Sequence, residues 1–260
     1  MKAAGFDRDR YYSAGLDQSE EKSEIRLRVA QFIAENHEDG RRNVCLSLPG
    51  LNWEFEKTLI DMRPDIKIFG VEEDFGIFEK GKLLMPGSGP PIYSEAEMNF
   101  GKIPYYMTDK AKFMNLDLEA ILGLELADSR GPKVKNRPVG VLSKQKKKWA
   151  RFRKQLGLWT SCWLDFYSSV EVIPPIIKRL DRMTNMKINR APFAITFYVG
   201  RESNNTMKYI NIFNHLESPA ERRAMLLAAT LDKSRHRRFE YVETLNYKSM
   251  GVLLGFSILR

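Results

Sequence analysis

The feature that most constrains the fold is a strand, a helix and a second strand in close succession over residues 44–74. The run VCLSLPG is short and apolar and ends in Pro-Gly, and WEFEKTLIDM behind it has the apolar spacing of a helix. The breaker RPD separates this helix from a second apolar run, IKIFGVEED, which ends in three acidic residues. This succession predicts a βαβ unit with parallel strands and a right-handed crossover.

The remaining elements extend this unit into an alternating pattern. An amphipathic helix is predicted over 19–36, a third strand at KIPYYMTD, and later strands at WTSCWLDFYSS and APFAITFYVG. Ser218, Pro219 and Glu221 form the start signal of a late helix, and FEYVETLNYKSMGVLLGFSILR is typical of an antiparallel hairpin. We therefore predict an α/β fold: a mostly parallel, seven-stranded, Rossmann-like sheet with helices on both faces and a C-terminal antiparallel β-hairpin.

We expect residues 1–260 to form a single domain, because this length suffices for one large sheet with a sizeable core. The segment 81–102 contains MPGSGPP, whose Pro and Gly content predicts an irregular loop. Residues 116–158 are strongly basic and are interpreted as an insert between the third and fourth strands. A helix with prolines in its first turn is predicted at VIPPIIKRLDRM.

Composition argues against several classes of protein. Hydrophobic residues make up 43% of the chain, but no uninterrupted apolar run is long enough to cross a bilayer, so no membrane role is expected. The first residues lack the apolar core of a signal peptide, which favours an intracellular, cytoplasmic protein. Cys45 and Cys162 lie far apart without Cys or His at ligand spacing. This spacing favours two buried thiols and implies neither a disulfide framework nor a metal site.

The net charge of +9 favours an acidic partner, most often nucleic acid. The densest basic segment, KQKKKWARFRK, interleaves its cations with Trp149 and Phe152. Lysine and arginine neutralise phosphates, and aromatic rings stack on unpaired bases. The alternative is that this helix docks its aromatic side on the sheet while its charges face water. The predicted phosphate contacts are Lys146, Lys147, Lys148, Arg151 and Arg153.

Candidate site residues follow the predicted strands, because open parallel sheets bind ligands beyond the carboxyl ends of their strands. Gly50 can admit a ligand close to the backbone. Glu72 can accept both hydroxyls of a ribose, and Asp109 can accept an exocyclic amine. Asp165 can orient or deprotonate a nucleophile, while Tyr167 can stack on a base. Each residue also has a structural interpretation as part of a turn, a solvated acid, a helix N-cap or a strand end.

Together these strand ends resemble the class I S-adenosylmethionine-dependent methyltransferase family. In that family a glycine-containing loop after the first strand passes the amino-acid part of the cofactor, which implies a role for Ser47, Pro49 and Gly50 in LSLPG. The resemblance further implies that Glu72 holds the ribose and that Asp109 contacts adenine. The loop LDFYSS would face the transferred methyl group, with Asp165 and Tyr167 at the target pocket. The closing hairpin is similar to the last two strands of that family.

The resemblance implies S-adenosylmethionine as cofactor, and the basic insert indicates a nucleic-acid substrate methylated on nitrogen or oxygen. The rival hypothesis is a catalytically silent protein of the same fold that binds nucleic acid within a larger assembly. This rival hypothesis is supported by two departures from the family: SLPGLN has a single glycine, and DFYSS stands where amino-methylating nucleic-acid enzymes have Asp-Pro-Pro-Tyr. Arg201 in GRES could contact a phosphate or neutralise Glu202.

Three other activities are disfavoured by missing motifs. Methylation of cytosine C5 needs a Pro-Cys nucleophile at the fourth strand end, whereas Cys162 precedes that end. The dinucleotide fingerprint G-x-G-x-x-G is absent, which argues against a dehydrogenase, and the P-loop motif is absent as well.

Overall fold

The computed structural model describes residues 19–37, 43–98, 101–115, 159–171, 173, 190–200, 202–232 and 237–260. The basic insert and nearly all of the helix predicted at VIPPIIKRLDRM lie outside these residues. The domain limits predicted for the chain therefore stay a prediction.

Five helices and nine strands make up the described parts of the chain. The helices are α1 (Glu20–Glu35), α2 (Glu54–Met62), α3 (Phe75–Gly81), α4 (Asn204–Ile210) and α5 (Pro219–Leu231), with short 3₁₀ turns at Lys82–Leu84 and Asn211–Phe213. The strands are β1 (Val44–Ser47), β2 (Lys67–Glu72), β3 (Ile92–Met98), β4 (Gly101–Met107), β5 (Ala111–Asn115), β6 (Ser161–Ser169), β7 (Arg190–Tyr198), β8 (Arg237–Tyr247) and β9 (Met250–Leu259).

The strands form one mixed sheet in the order β3-β4-β5-β2-β1-β6-β7-β9-β8. Parallel pairing joins β5, β2, β1, β6 and β7, while β9 runs antiparallel between β7 and β8. The predicted α/β class, the parallel centre and the C-terminal hairpin are confirmed. The prediction of seven, mostly parallel strands is wrong, because a second antiparallel hairpin extends the other edge of the sheet.

That second hairpin is formed by β3 and β4, in a region predicted as an irregular loop followed by the third parallel strand. β4 runs antiparallel to β5, so KIPYYMTD is a returning hairpin strand rather than the third parallel strand. A tight turn reverses the chain between β4 and β5, where the hydroxyl of Thr108 accepts hydrogen bonds from the backbone amides of Lys110 and Ala111. The third parallel strand is therefore β5, whose short alternating sequence AKFMN gave a weak signal.

Two apolar layers cover the sheet, one on each face. On one face α1 and α2 pack through Val29, Ile33 and Leu59 onto residues such as Trp163 of β6. On the other face α5 contributes Leu227 and its neighbours to a core with the alternate residues of the central strands. Burial of these side chains supplies most of the driving force for folding. Among the described helices, none combines the length and apolar character needed to span a bilayer.

Candidate functional site

The candidate site is the carboxyl edge of the parallel strands, on the face covered by α1 and α2. Ser47 of β1 pairs with Gly70 of β2 and with Trp163 of β6. Glu72 and Asp165 each lie two residues beyond these partners, so the register places both acids at one level of the sheet. Residues two apart on a strand point to the same face, and the two acids therefore flank the end of β1.

The loop from β1 to α2 is packed tightly against β2. Gly50 has no positive φ; instead Trp53 occupies the left-handed region at φ 55° and ψ 34°. The indole of Trp53 is fully buried and donates a hydrogen bond of 3.0 Å to the carbonyl of Gly81. A Cβ on Gly70 would lie 2.8 Å from Pro49 Cγ and 2.9 Å from Trp53 Cη2, so glycine is required there. The tight turn is thus held by its contacts with β2.

Glu72 is buried at the end of β2, where the sequence predicts the ribose acid. Its Oε1 accepts a 2.8 Å hydrogen bond from the backbone amide of Asp74. Asn115, its partner at the end of β5, donates to the Glu72 carbonyl at 2.9 Å and to the Glu73 carbonyl at 3.2 Å. These bonds orient the Glu72 carboxylate and the turn that follows it.

Asp165 forms a buried ion pair with a residue of α1, a contact that the sequence does not predict. Lys22 Nζ of α1 lies 3.5 Å from Asp165 Oδ2, and the two side chains are only 2% and 14% exposed. One turn along α1, Arg26 forms an ion pair with Glu54 at the start of α2. Within the described residues Asp165 Oδ1 and Ser47 Oγ are buried and make no hydrogen bond. The pairing with Lys22 involves Oδ2 and leaves Oδ1 available.

Glu56 of α2 is buried among these charges. Burial is the main cause that raises the pKa of its carboxyl to about 7, and Asp165 contributes to the rise. Its own backbone amide, the hydroxyl of Ser47 and the charge of Arg26 oppose the shift. Burial also raises the pKa of the neighbouring Cys45 thiol to about 12, so this thiol stays neutral at physiological pH. Glu56 is therefore poised to change charge near neutral pH.

The loops that follow β6 and β7 are tied together at the same edge. Glu171 Oε1 accepts a 2.6 Å hydrogen bond from the hydroxyl of Ser203, and this contact holds the pKa of Glu171 below its usual value. Glu202 forms a bidentate pair with Arg223 of α5, at 2.6 Å from Nε and 2.9 Å from Nη2. Arg223 thus neutralises Glu202. Together the two contacts hold the loops after β6 and β7 in place at this edge.

Asp109 lies at the opposite edge of the sheet from the other candidates. It is exposed in the turn that precedes β5, beside the amino end of that strand. Its carboxylate accepts a 2.9 Å hydrogen bond from the backbone amide of Ser88, which lowers its pKa. The prediction that Asp109 follows the third parallel strand is wrong, because the preceding strand is antiparallel. The third parallel strand is β5, and the residue at its carboxyl end is Asn115.

The structure brings together Ser47, Pro49, Gly50, Glu72 and Asp165. Sequence reasoning missed Lys22, Arg26 and Glu56, although α1 carries both basic residues at the i and i+4 positions of one face, which was an available signal. The role of Tyr167 remains a prediction, because its side chain lies outside the described part of the chain. The same holds for six basic candidates that lie wholly outside it: Arg201, Lys146, Lys147, Lys148, Arg151 and Arg153. Among the described residues, no group of three His, Cys, Asp or Glu side chains could hold a metal ion.

No protein-family profile matches this sequence, and no curated protein matches it. Solved structures do match the fold. The plantazolicin methyltransferase BpumL in complex with SAH aligns with a TM-score of 0.50 and 8% identity, over 98% of this chain and 92% of that chain. Trm1 from Pyrococcus horikoshii with S-adenosyl-L-methionine aligns with a TM-score of 0.50 and 9% identity, over 91% of this chain and 54% of that chain.

These likenesses concern the fold. The central strands and the antiparallel β9 inserted between β7 and β8 give this chain the fold of class I methyltransferases. The β3–β4 hairpin is added at the β5 edge of that sheet.

Proposed function

We propose that the protein is an S-adenosylmethionine-dependent methyltransferase that acts on nucleic acid. The observation that carries the proposal is the buried Glu72 carboxylate at the end of β2, beside the β1–α2 loop of a class I methyltransferase fold. Two solved structures with this fold are of a methyltransferase with SAH and of Trm1 with S-adenosyl-L-methionine. The net charge of +9 and the basic insert support nucleic acid as the substrate.

The residues at this edge fit the cofactor. The carboxylate of Glu72, oriented by the turn that Asn115 braces, is suited to bind ribose hydroxyls. The buried hydroxyl oxygen of Ser47, which makes no hydrogen bond within the described residues, is suited to an ammonium group such as that of the methionine part. Pro49 and Gly50 bring the backbone past the end of β1. The bound cofactor would supply an electrophilic methyl group on a sulfonium.

The chain's own contribution is positioning and exclusion of water. Because Lys22 Nζ lies 3.5 Å from Oδ2 and Oδ1 makes no hydrogen bond within the described residues, Asp165 Oδ1 is suited to accept a hydrogen bond from a target amine or hydroxyl and to orient it. Methyl transfer depends mostly on alignment of the reacting atoms, so a strong base is not required. We propose that Tyr167, two residues further along β6, lines the target pocket.

Calorimetry of cofactor binding tests the role of Glu72. Glu72→Ala is expected to weaken S-adenosylmethionine binding by at least about tenfold, because it removes the acceptor for the ribose, a charge-assisted interaction of roughly 1.5–3 kcal/mol. Glu73→Ala is the matched control, since Glu73 is the exposed neighbouring carboxylate and its loss should leave binding nearly unchanged. An absence of any binding heat with the wild-type protein would contradict the enzyme and favour a silent, nucleic-acid-binding protein of this fold.

Salt-dependent binding of RNA and DNA tests the basic insert. Replacing Lys146, Lys147 and Lys148 by Ser is expected to weaken binding and to reduce the slope of log affinity against log salt by about 2–3, because fewer counterions are released. The control replaces the exposed Lys67, Lys80 and Lys248 by Ser and removes the same charge from other surfaces. Equal affinities for the two triple variants would exclude the insert as the binding surface.

A further inference from the structure

A row of aromatic rings in contact joins the β3–β4 hairpin to the β1–α2 loop. From the hairpin inwards, this aromatic row consists of Tyr93, Tyr106, Phe78, Phe113 and Trp53. Consecutive ring centroids lie 5.4, 5.2, 5.0 and 4.8 Å apart, within the range in which aromatic pairs attract each other. The inner four rings are buried, whereas Tyr93 at the outer end is exposed. The row is thus a continuous packed connection from the edge of the sheet to the candidate site.

The hydroxyl of Tyr106 provides a second connection to the same loop. It donates a 3.0 Å hydrogen bond to Glu79 Oε1 and accepts a 2.9 Å hydrogen bond from Lys82 Nζ. Gly81 lies between these two residues in the chain, and its carbonyl accepts the 3.0 Å hydrogen bond of the Trp53 indole. The hairpin therefore holds the end of α3, which in turn holds Trp53.

Trp53 depends on such support because its backbone occupies the left-handed region, at φ 55° and ψ 34°. A bulky residue is disfavoured in this region and stays there only when its surroundings impose it. The turn from β1 into α2 is thus made at a residue whose conformation is fixed by the contacts of its indole. The same packing reaches Pro49, since a Cβ on Gly70 would lie 2.8 Å from Pro49 Cγ and 2.9 Å from Trp53 Cη2. A displaced indole would therefore change the space beside Pro49.

We infer that the β3–β4 hairpin sets the shape of the cofactor-binding loop through the aromatic row, so that Tyr106 is a positioning residue for S-adenosylmethionine. Tyr106 acts at a distance, because β5 and β2 separate its strand from β1 in the sheet. The inference rests on the proposed function, in which Pro49 and Gly50 lie beside the amino-acid part of the cofactor. Packed side chains can carry a coupling of this kind between two places in a protein. The hairpin added to the methyltransferase sheet thereby gains a role in binding.

Calorimetry of S-adenosylmethionine binding to the full chain tests the inference. Tyr106→Leu is expected to weaken binding about threefold to tenfold, because it removes both the ring beside Phe78 and the hydroxyl that holds the end of α3. Phe239→Leu is the matched control, since it removes a ring that packs edge-to-face on Phe193, 5.7 Å away and towards the opposite edge of the sheet. This control should bind like the wild-type protein. Circular dichroism checks that both variants are folded at the temperature of the titration.

Weaker binding by Tyr106→Leu together with normal binding by Phe239→Leu would support the positioning role. Equal affinities of Tyr106→Leu and the wild-type protein, or equal losses in the two variants, would overturn the inference and leave the proposed function standing. Absence of S-adenosylmethionine binding to the wild-type protein would overturn the proposed function, and the inference with it.

Hydrogen exchange of the wild-type protein decides the inference if Tyr106→Leu does not fold. Because coupling between two sites is reciprocal, S-adenosylmethionine should slow amide exchange in the β3–β4 hairpin. The β8–β9 hairpin at the opposite edge is the internal control, since it reports the general stabilisation that any bound ligand gives. Exchange in β3–β4 is expected to slow at least about threefold more than in β8–β9. Equal slowing of the two hairpins would overturn the inference.

Discussion

Arg223→Met is expected to lower the free energy of unfolding by about 3–5 kcal/mol, because it leaves the buried Glu202 carboxylate without its partner. The Arg223 and Glu202 side chains are 9% and 1% exposed, and the guanidinium contacts both carboxylate oxygens. It also donates a 2.8 Å hydrogen bond to the carbonyl of Pro219 in the first turn of α5. Chemical denaturation followed by circular dichroism measures the change.

The control for this variant is an arginine of an exposed ion pair. Arg28 Nη2 of α1 lies 2.7 Å from Glu243 Oε1, with side chains 46% and 33% exposed. Arg28→Met should cost no more than about 1 kcal/mol, because water screens the charges of a surface pair. If Arg223→Met cost no more than Arg28→Met, Glu202 would have found another partner or gained water. The loop after β7 would then not depend on the pair of Glu202 and Arg223.

Gly70→Ala is expected to destabilise the protein by about 1–3 kcal/mol and to weaken cofactor binding, because overpacking displaces the β1–α2 loop. The added Cβ would lie 2.8 Å from Pro49 Cγ, 2.9 Å from Trp53 Cη2 and 3.2 Å from Phe113 Cδ2. None of these atoms is the end of a flexible chain, since Trp53 and Phe113 are buried ring systems in edge-to-face contact. Denaturation and calorimetry with S-adenosylmethionine measure the two effects.

Gly89→Ala provides the comparison, because a Cβ at Gly89 has no neighbouring atom within 4 Å. Its unfolding free energy should change by less than about 0.5 kcal/mol, as for most surface substitutions. Gly70→Ala would contradict the packing argument if it matched Gly89→Ala in stability. If it lost stability yet bound S-adenosylmethionine normally, the position of the loop would have no part in binding.

Local signals in the sequence were sufficient wherever one segment determines its own structure. The start of α5 is an example, since Ser218 accepts a hydrogen bond from the amide of Glu221 as the capping pattern predicts. The end of β2 is another, because a buried apolar run followed by Glu72 is readable without knowledge of its neighbours. The hairpin of β8 and β9 was also predicted, because its two strands are adjacent in the chain.

Predictions failed where strand direction depends on distant partners. The sequence KIPYYMTD has strand character, but its pairing with β3 and β5 makes it antiparallel and carries Asp109 to the amino end of β5. Propensity specifies that a segment is extended, whereas direction and order follow from hydrogen bonding across the sheet. For this reason the adenine contact predicted for Asp109 is not carried into the proposed site.

Periodicity and turn chemistry within short segments are enough to predict the α/β class, the parallel centre, the closing hairpin and the acid that ends β2. The contact between Lys22 and Asp165, 3.5 Å apart although far separated in the chain, follows from the docking of α1 on the sheet and is not predicted by either segment. The same holds for the burial of Glu56 and for the packing of Pro49 and Trp53 on Gly70. These contacts form when separate elements dock. The pKa of a side chain such as Glu56 follows from its burial in the folded protein rather than from the local sequence.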